Sequence, residues 1–288
     1  MSWHKISPAI FTLVVFLLVQ GFGTVLLFVV LMLNSPDSYT AILDYRSGAA
    51  QGMPSLELVS ASQLSLIMMV VNILVVLCCY FLLHNIRFNS ISNFASIRWT
   101  PGMLAVGGGL LGAMSISILT EKVEIPDELL RMSLAMSRDD LGILTLVIIG
   151  PIAEEFVFRE AIEGEMLRRG ANPWAAIIVS AVAFGAVHLN LAQGLYALPL
   201  GLIFGIIYYK TGNIILTSLL HILNNGFVVL MLRAEGEGIA DVSCAEWFGS
   251  SLRAYIFMAF SAVFCFVLMR QFWNIYQPRD ETMKSGLY

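Results

Sequence analysis

The sequence predicts an all-α membrane protein, a polytopic helical bundle of about eight transmembrane helices. Three observations carry that prediction. Of 288 residues, 58% are hydrophobic and only 12% charged, against about 25% charged in soluble domains. Mean hydropathy is +0.81. The apolar residues also fall into runs close to the ~20 residues that a helix needs to cross a hydrocarbon core. The net charge of −4, with no basic stretch that would track phosphates, argues against nucleic acid as a partner.

The elements follow in order. The first run, 9–33, has Lys5 before it and "NSPDS" after it. It is longer than the ~7–15 residues of a signal-peptide core and lacks a small-residue cleavage site, so it reads as a retained span. Loop 34–63 carries turn chemistry, including "SGAAQGMPS". Runs 64–83 and 102–119 are the second and third spans. The stretch "EKVEIPDELLRMSLAMSRDD" at 121–140 reads as a loop and a short amphipathic helix at the interface, with Asp140 capping the next span. The remaining runs are 141–168, 173–189, 194–209, 213–232 and 252–273. Short connections make one bundle, organised as N-terminal spans and interfacial helix (1–140), a polar-bearing core (141–232), and a loop with the last span (233–288).

Counting Lys and Arg between spans, nine fall on the side of the amino terminus and six on the other. The positive-inside rule then puts both termini in the cytoplasm. Four cysteines without a CxxC give neither a disulfide framework nor a thiolate zinc site. "GGGLLG" (107–112) and the Gly201/Gly205 pair read as close helix contacts. Trp99, Trp174, Trp247 and Trp273 fall near span ends, as interfacial anchors do.

The chemistry lies in the polar residues that the spans retain. "AEEFVFRE" puts Glu154, Glu155 and Arg159 inside the fourth run. Each charge costs roughly 2.5–3.5 kcal/mol at a helix centre, so three unpaired would cost about 8–10 kcal/mol. Intramembrane charges mark function by default. Glu155 and Arg159 stand at i, i+4 with the acid first, the favourable order, so Arg159 neutralises Glu155. Glu154 points about 100° away, leaving a carboxylate free for acid–base work. "FGAVH" adds His188 one turn from Phe184, and "HILNN" sets His221 and Asn225 one turn apart on one face. At about 1.5 Å rise per residue, Glu154, His188, His221 and Asn225 lie about 21, 22, 12 and 18 Å from the inner ends of their spans. One shared mid-membrane cavity is therefore expected. Asn72, His84 and Asn224 read as packing or interface groups, and Asn190 as a packing group ahead of a substrate contact.

The three motifs, Glu154-Glu155-x-x-x-Arg159, Phe184-x-x-x-His188 and His221-x-x-x-Asn225, resemble those of the CPBP family, the CAAX prenyl protease and Abi group of intramembrane proteases. The match covers about 141–232. The resemblance implies a peptidase acting on a peptide or lipidated protein substrate among membrane lipids, in a bacterial inner membrane. Glu154 and His188 would activate water, His221 and Asn225 would stabilise the oxyanion, and Glu155 and Arg159 would support them. A metal-free glutamate mechanism is expected. The alternative cofactor is zinc, on Glu154, His188 and His221 with water as fourth ligand. Two other functions compete: a non-catalytic membrane scaffold regulating a partner protein, and an ion-coupled transporter, which would also bury carboxylates. The residues name neither the substrate nor the oligomeric state.

Overall fold

The computed structural model describes residues 2–34, 60–87, 98–236 and 243–276, with isolated positions between 40 and 48. Most of loop 34–63 and the tail beyond Tyr276 lie outside the described residues. The helices are α1 (Trp3–Asn34), α2 (Ala61–Phe81), α3 (Trp99–Thr120), α4 (Asp127–Ser137), α5 (Asp140–Arg168), α6 (Pro173–Ala186), α7 (Leu191–Thr211), α8 (Ile214–Glu235), α9 (Cys244–Trp247) and α10 (Ser251–Ile275). Among the described residues, seven are long and apolar enough to cross a membrane, making this a multi-pass membrane protein. The expected fifth span falls short. α6 has 14 residues, a rise of about 21 Å against a hydrocarbon core of ~30 Å.

Local chemistry sets the boundaries. Ser60 and Gln63 form a capping box at the start of α2. Asn172 accepts from the Trp174 and Ala175 amides, and Pro173 opens α6. Gly212, at φ 61°, ends α7 in the left-handed conformation, and Asn213 caps α8 at once. The cap of α5 is Asp139, whose side chain accepts from Gly142 N, and not the expected Asp140. Asp139 is also anchored across the interface by the Ser62 hydroxyl. α4 is the amphipathic helix expected over 121–140.

α5 is the central rod. Half of its apolar window is buried, against 11% for α10, whose apolar side chains face outward. The small residues make the close contacts expected of them. A Cβ at Gly109 would meet Leu220 of α8, and one at Gly112 would meet Ile203 and Cys265. Gly201 abuts Ala181 and Phe184, drawing α7 onto α6. At the other end of α5, Lys5 Nζ donates to Gly170 O at 2.6 Å and Arg169 donates to His4 O and Ser7 Oγ. α1 is thus tied to the C-terminal end of α5. There Arg168 pairs with Glu160 and Glu165. Trp174 and Trp273 stack with centroids 6.0 Å apart.

Candidate active site

α5 is not a uniform α-helix. Leu144–Ile149 and Phe156–Gly164 take the wider π register, on either side of an α-helical turn, Gly150–Glu155, that carries both glutamates. Such insertions concentrate at functional sites. The first one has a specific consequence. Gly150 N–H donates to Thr145 O, five residues back, and so is lost to Leu146 O. The next donor in the π register would be residue 151, which is proline and has no N–H. The Leu146 carbonyl is left for a side chain, and Asn225 Nδ2 of α8 donates to it at 3.1 Å.

The two glutamates part as their spacing requires. Glu155 is wholly buried, and the Glu154 side chain keeps 30% of its surface exposed. Arg159, also wholly buried, sets Nε 3.1 Å from Glu155 Oε2. Arg159 Nη1 donates to Ser180 Oγ at 3.0 Å, and Ser180 donates on to Phe158 O. The guanidinium lies over the rings of Phe184 and Phe204, 5.0 and 5.3 Å from their centroids. The guanidinium is therefore packed by α5, α6 and α7 together, with Nη2 lacking a hydrogen-bond partner among the described residues.

His221 joins α8 to this pair. Its Nδ1 lies 3.1 Å from Glu155 Oε1 and its Nε2 lies 3.6 Å from Glu154 Oε2. Glu155, countered by Arg159, is an acceptor, so Nδ1 carries the hydrogen and Nε2 faces the open carboxylate. Glu154, Glu155, Arg159 and His221 are thus brought together from two helices.

His188 stands differently from expectation. The run 173–189 does not continue as helix: α6 stops at Ala186, and Leu189 takes φ 55°. Asn190 then caps α7 through Gln193 N and donates to His188 O, which makes it a structural cap. His188 therefore sits on the turn between α6 and α7. Its Nδ1 donates to Phe184 O at 2.8 Å, leaving Nε2 as the open acceptor. Both imidazoles meet the Phe184 ring edge-on, with centroids 5.4 Å away for His188 and 5.7 Å for His221. Phe184 is the common wall of the two histidines.

Asn225 is held by a chain that also runs through Asn224. Asn224 Nδ2 donates to Asn225 Oδ1 at 3.2 Å, and Tyr196 Oη donates to Asn224 Oδ1 at 2.6 Å. Among the described residues, no three His, Cys, Asp or Glu side chains gather closely enough to hold a metal ion. His221 Nδ1 is turned to Glu155 and His188 Nδ1 to a backbone carbonyl, which leaves Nε2 of each ring open to a water or to a metal ion.

Residues 140–227 match the family described as Type II CAAX prenyl endopeptidase Rce1-like. Two bacterial relatives align with the same share of the sequence. "Putative membrane peptidase YdiL" of Bacillus subtilis (strain 168) is 36% identical over 91 residues, 32% of this chain and 37% of the relative. "Membrane-embedded CAAX protease MroQ" of Staphylococcus aureus (strain USA300) is 34% identical over 97 residues, again 32% of this chain, and 39% of the relative. Residues 140–227 are thus similar to this family, under half of the chain. The matched stretch spans under two fifths of each relative's length. No solved structure matches.

Within residues 140–227, several residues around the site were not singled out from the sequence. Ser180 and Phe204, which hold Arg159, carried no signal among so many small and aromatic residues. Asn224 and Tyr196 form the hydrogen-bonded chain that ends on Asn225. Glu163 did carry a signal, standing at i+4 from Arg159. It is wholly buried, and neither of its oxygens has a hydrogen-bond partner among the described residues.

Proposed function

We propose that this chain is a CPBP-type intramembrane endopeptidase that hydrolyses a peptide bond with a glutamate-activated water. The observation that carries the reading is the placement of one imidazole, His221, between a buried, arginine-paired glutamate and an open one. A water beside Glu154 gives one proton to that carboxylate, while His188 Nε2 accepts its other hydrogen. The water oxygen bonds to the peptide carbonyl carbon, whose oxygen takes the negative charge. One Asn225 N–H is used on Leu146 O; the second is free to meet the oxyanion. His221, when protonated, donates there from Nε2 while Glu155 keeps Nδ1. Glu154 then delivers its proton to the amine as the C–N bond breaks. No step requires a metal.

The substrate in this reading is a peptide segment at the membrane, either lipidated at its carboxy terminus or carrying a leader, in a bacterial inner membrane with both termini of the enzyme cytoplasmic. The names of the family and of MroQ support the lipidated class. The test is purified protein on a peptide library in micelles, with products read by mass spectrometry, with and without chelator. Wild type should cleave in both conditions, and Glu154→Gln and His188→Ala should not. Unchanged cleavage by both variants would remove the hydrolytic reading, and loss on chelation would restore a metal.

A further inference from the structure

The amides beside the site form a directed chain, and its direction has a cause. It begins at the Leu146 carbonyl, which can only accept. The group touching it must therefore be Asn225 Nδ2. That choice turns Asn225 Oδ1 toward Asn224, which must answer with its own Nδ2. Asn224 Oδ1 then faces Tyr196, whose hydroxyl must donate. The reverse polarity would set two acceptors against each other at Leu146. A carbonyl orphaned by Pro151 thus orders three side chains on two other helices, ending at Tyr196 of α7.

We propose that Tyr196 is a positioning residue of the hydrolytic centre: its hydroxyl locks the amide of Asn224, and through it the face that Asn225 turns to the oxyanion. This rests on the hydrolytic reading of Asn225. Asn225 alone is held at one point, by Leu146 O. With Asn224 locked it is held at two, and the remaining N–H has one direction. Asn224 is 7% exposed, so water is a poor substitute for the lost tyrosine hydrogen. Without that hydrogen Asn224 Oδ1 lacks its donor, the Asn224 amide is free to turn, and Asn225 loses its second anchor.

The test compares wild type, Tyr196→Phe, Asn225→Ala and the double variant on the same peptide library in micelles. Tyr196→Phe should lower kcat roughly 10- to 100-fold, the scale of a small misplacement of a reacting group, with KM little changed. In the Asn225→Ala background it should cost nothing further, whereas a merely structural tyrosine would cost the same in both backgrounds. A second measurement needs no turnover. In protein labelled with 15N-asparagine, the side-chain NH2 pair that disappears in Asn225→Asp is that of Asn225. This pair should shift in Tyr196→Phe. An unmoved pair, or additive losses in the double variant, overturns the relay. Cleavage retained by Glu154→Gln overturns the hydrolytic reading and leaves the NMR outcome to judge the relay.

Discussion

His221 bridges Glu154 and Glu155, adjacent residues on α5, with Nε2 3.6 Å from one carboxylate and Nδ1 3.1 Å from the other. Neighbouring positions on a helix point about 100° apart, so two carboxylates can meet one ring only if it enters between them. α8 supplies that ring at the height where α5 returns briefly from π to α register. The neighbours thereby take different roles. Glu155 holds the ring and Glu154 remains open.

Removing Arg159 should expose how much the site depends on its counter-charge. Arg159→Met leaves Glu155 buried with no guanidinium, and breaking a buried pair costs about 3–5 kcal/mol. The variant should melt well below wild type in detergent. Adding Glu155→Gln should recover most of that loss and none of the cleavage. Thermal unfolding beside the peptide assay separates the two effects.

Two glycine substitutions should differ sharply. A Cβ at Gly142 would collide with the Met136 carbonyl oxygen, a backbone atom at the α4–α5 junction. Gly142→Ala should therefore destabilise by about 1–3 kcal/mol. Gly21 in α1 has nothing within 4 Å of such a carbon, so Gly21→Ala should be neutral or stabilising by up to about 1 kcal/mol. Melting temperatures of the pair provide the check.

Asp139 should make the α2–α5 junction acid-sensitive. The Ser62 hydroxyl, then the Gly142 amide, hold its carboxyl below the usual range. A folded pKa below the unfolded one means that the stabilisation is complete above the unfolded value, about pH 4, and is lost as pH falls through the lower folded value. Ser62→Ala should raise the Asp139 pKa toward the unfolded value, an effect that NMR titration of the carboxyl would follow.

Cys244, outside the spans, should react slowly with maleimide at neutral pH. Burial first, and the hydrogen bond with Glu121 second, push its thiol up to about 12, so almost no thiolate is present. Glu121→Gln should speed labelling by removing the charge while burial remains. A rate equal to that of an exposed cysteine in wild type would contradict this.

The parts of the site legible in sequence were those that broke a rule. Three charges in an apolar run, and one histidine with an asparagine at helical spacing, identified α5 and α8 because hydrocarbon penalises such residues. The end of α6 was not legible. "FGAVHLN" stays apolar through Leu189, and only the backbone turn there and the cap at Asn190 show that His188 has left the helix. Nor was the choice between Asp139 and Asp140 as cap, which depends on Ser62 across the interface. The π register has no periodicity signature in so apolar a run. Pro151 is its one trace in the sequence, and its effect is the freed Leu146 carbonyl. Tyr196 and Asn224 were hidden for the same reason: their partners are decided by that carbonyl, on a third helix.

The central claim is that Glu154 drives water, directly, onto a peptide carbonyl. Single-turnover cleavage in 18O-water tests it most directly. Wild type should place one 18O in the new carboxylate of the product and none in its own side chains, and Glu154→Gln should give no product while melting like wild type. Label on the Glu154 carboxylate, or full-rate cleavage by Glu154→Gln, would contradict it.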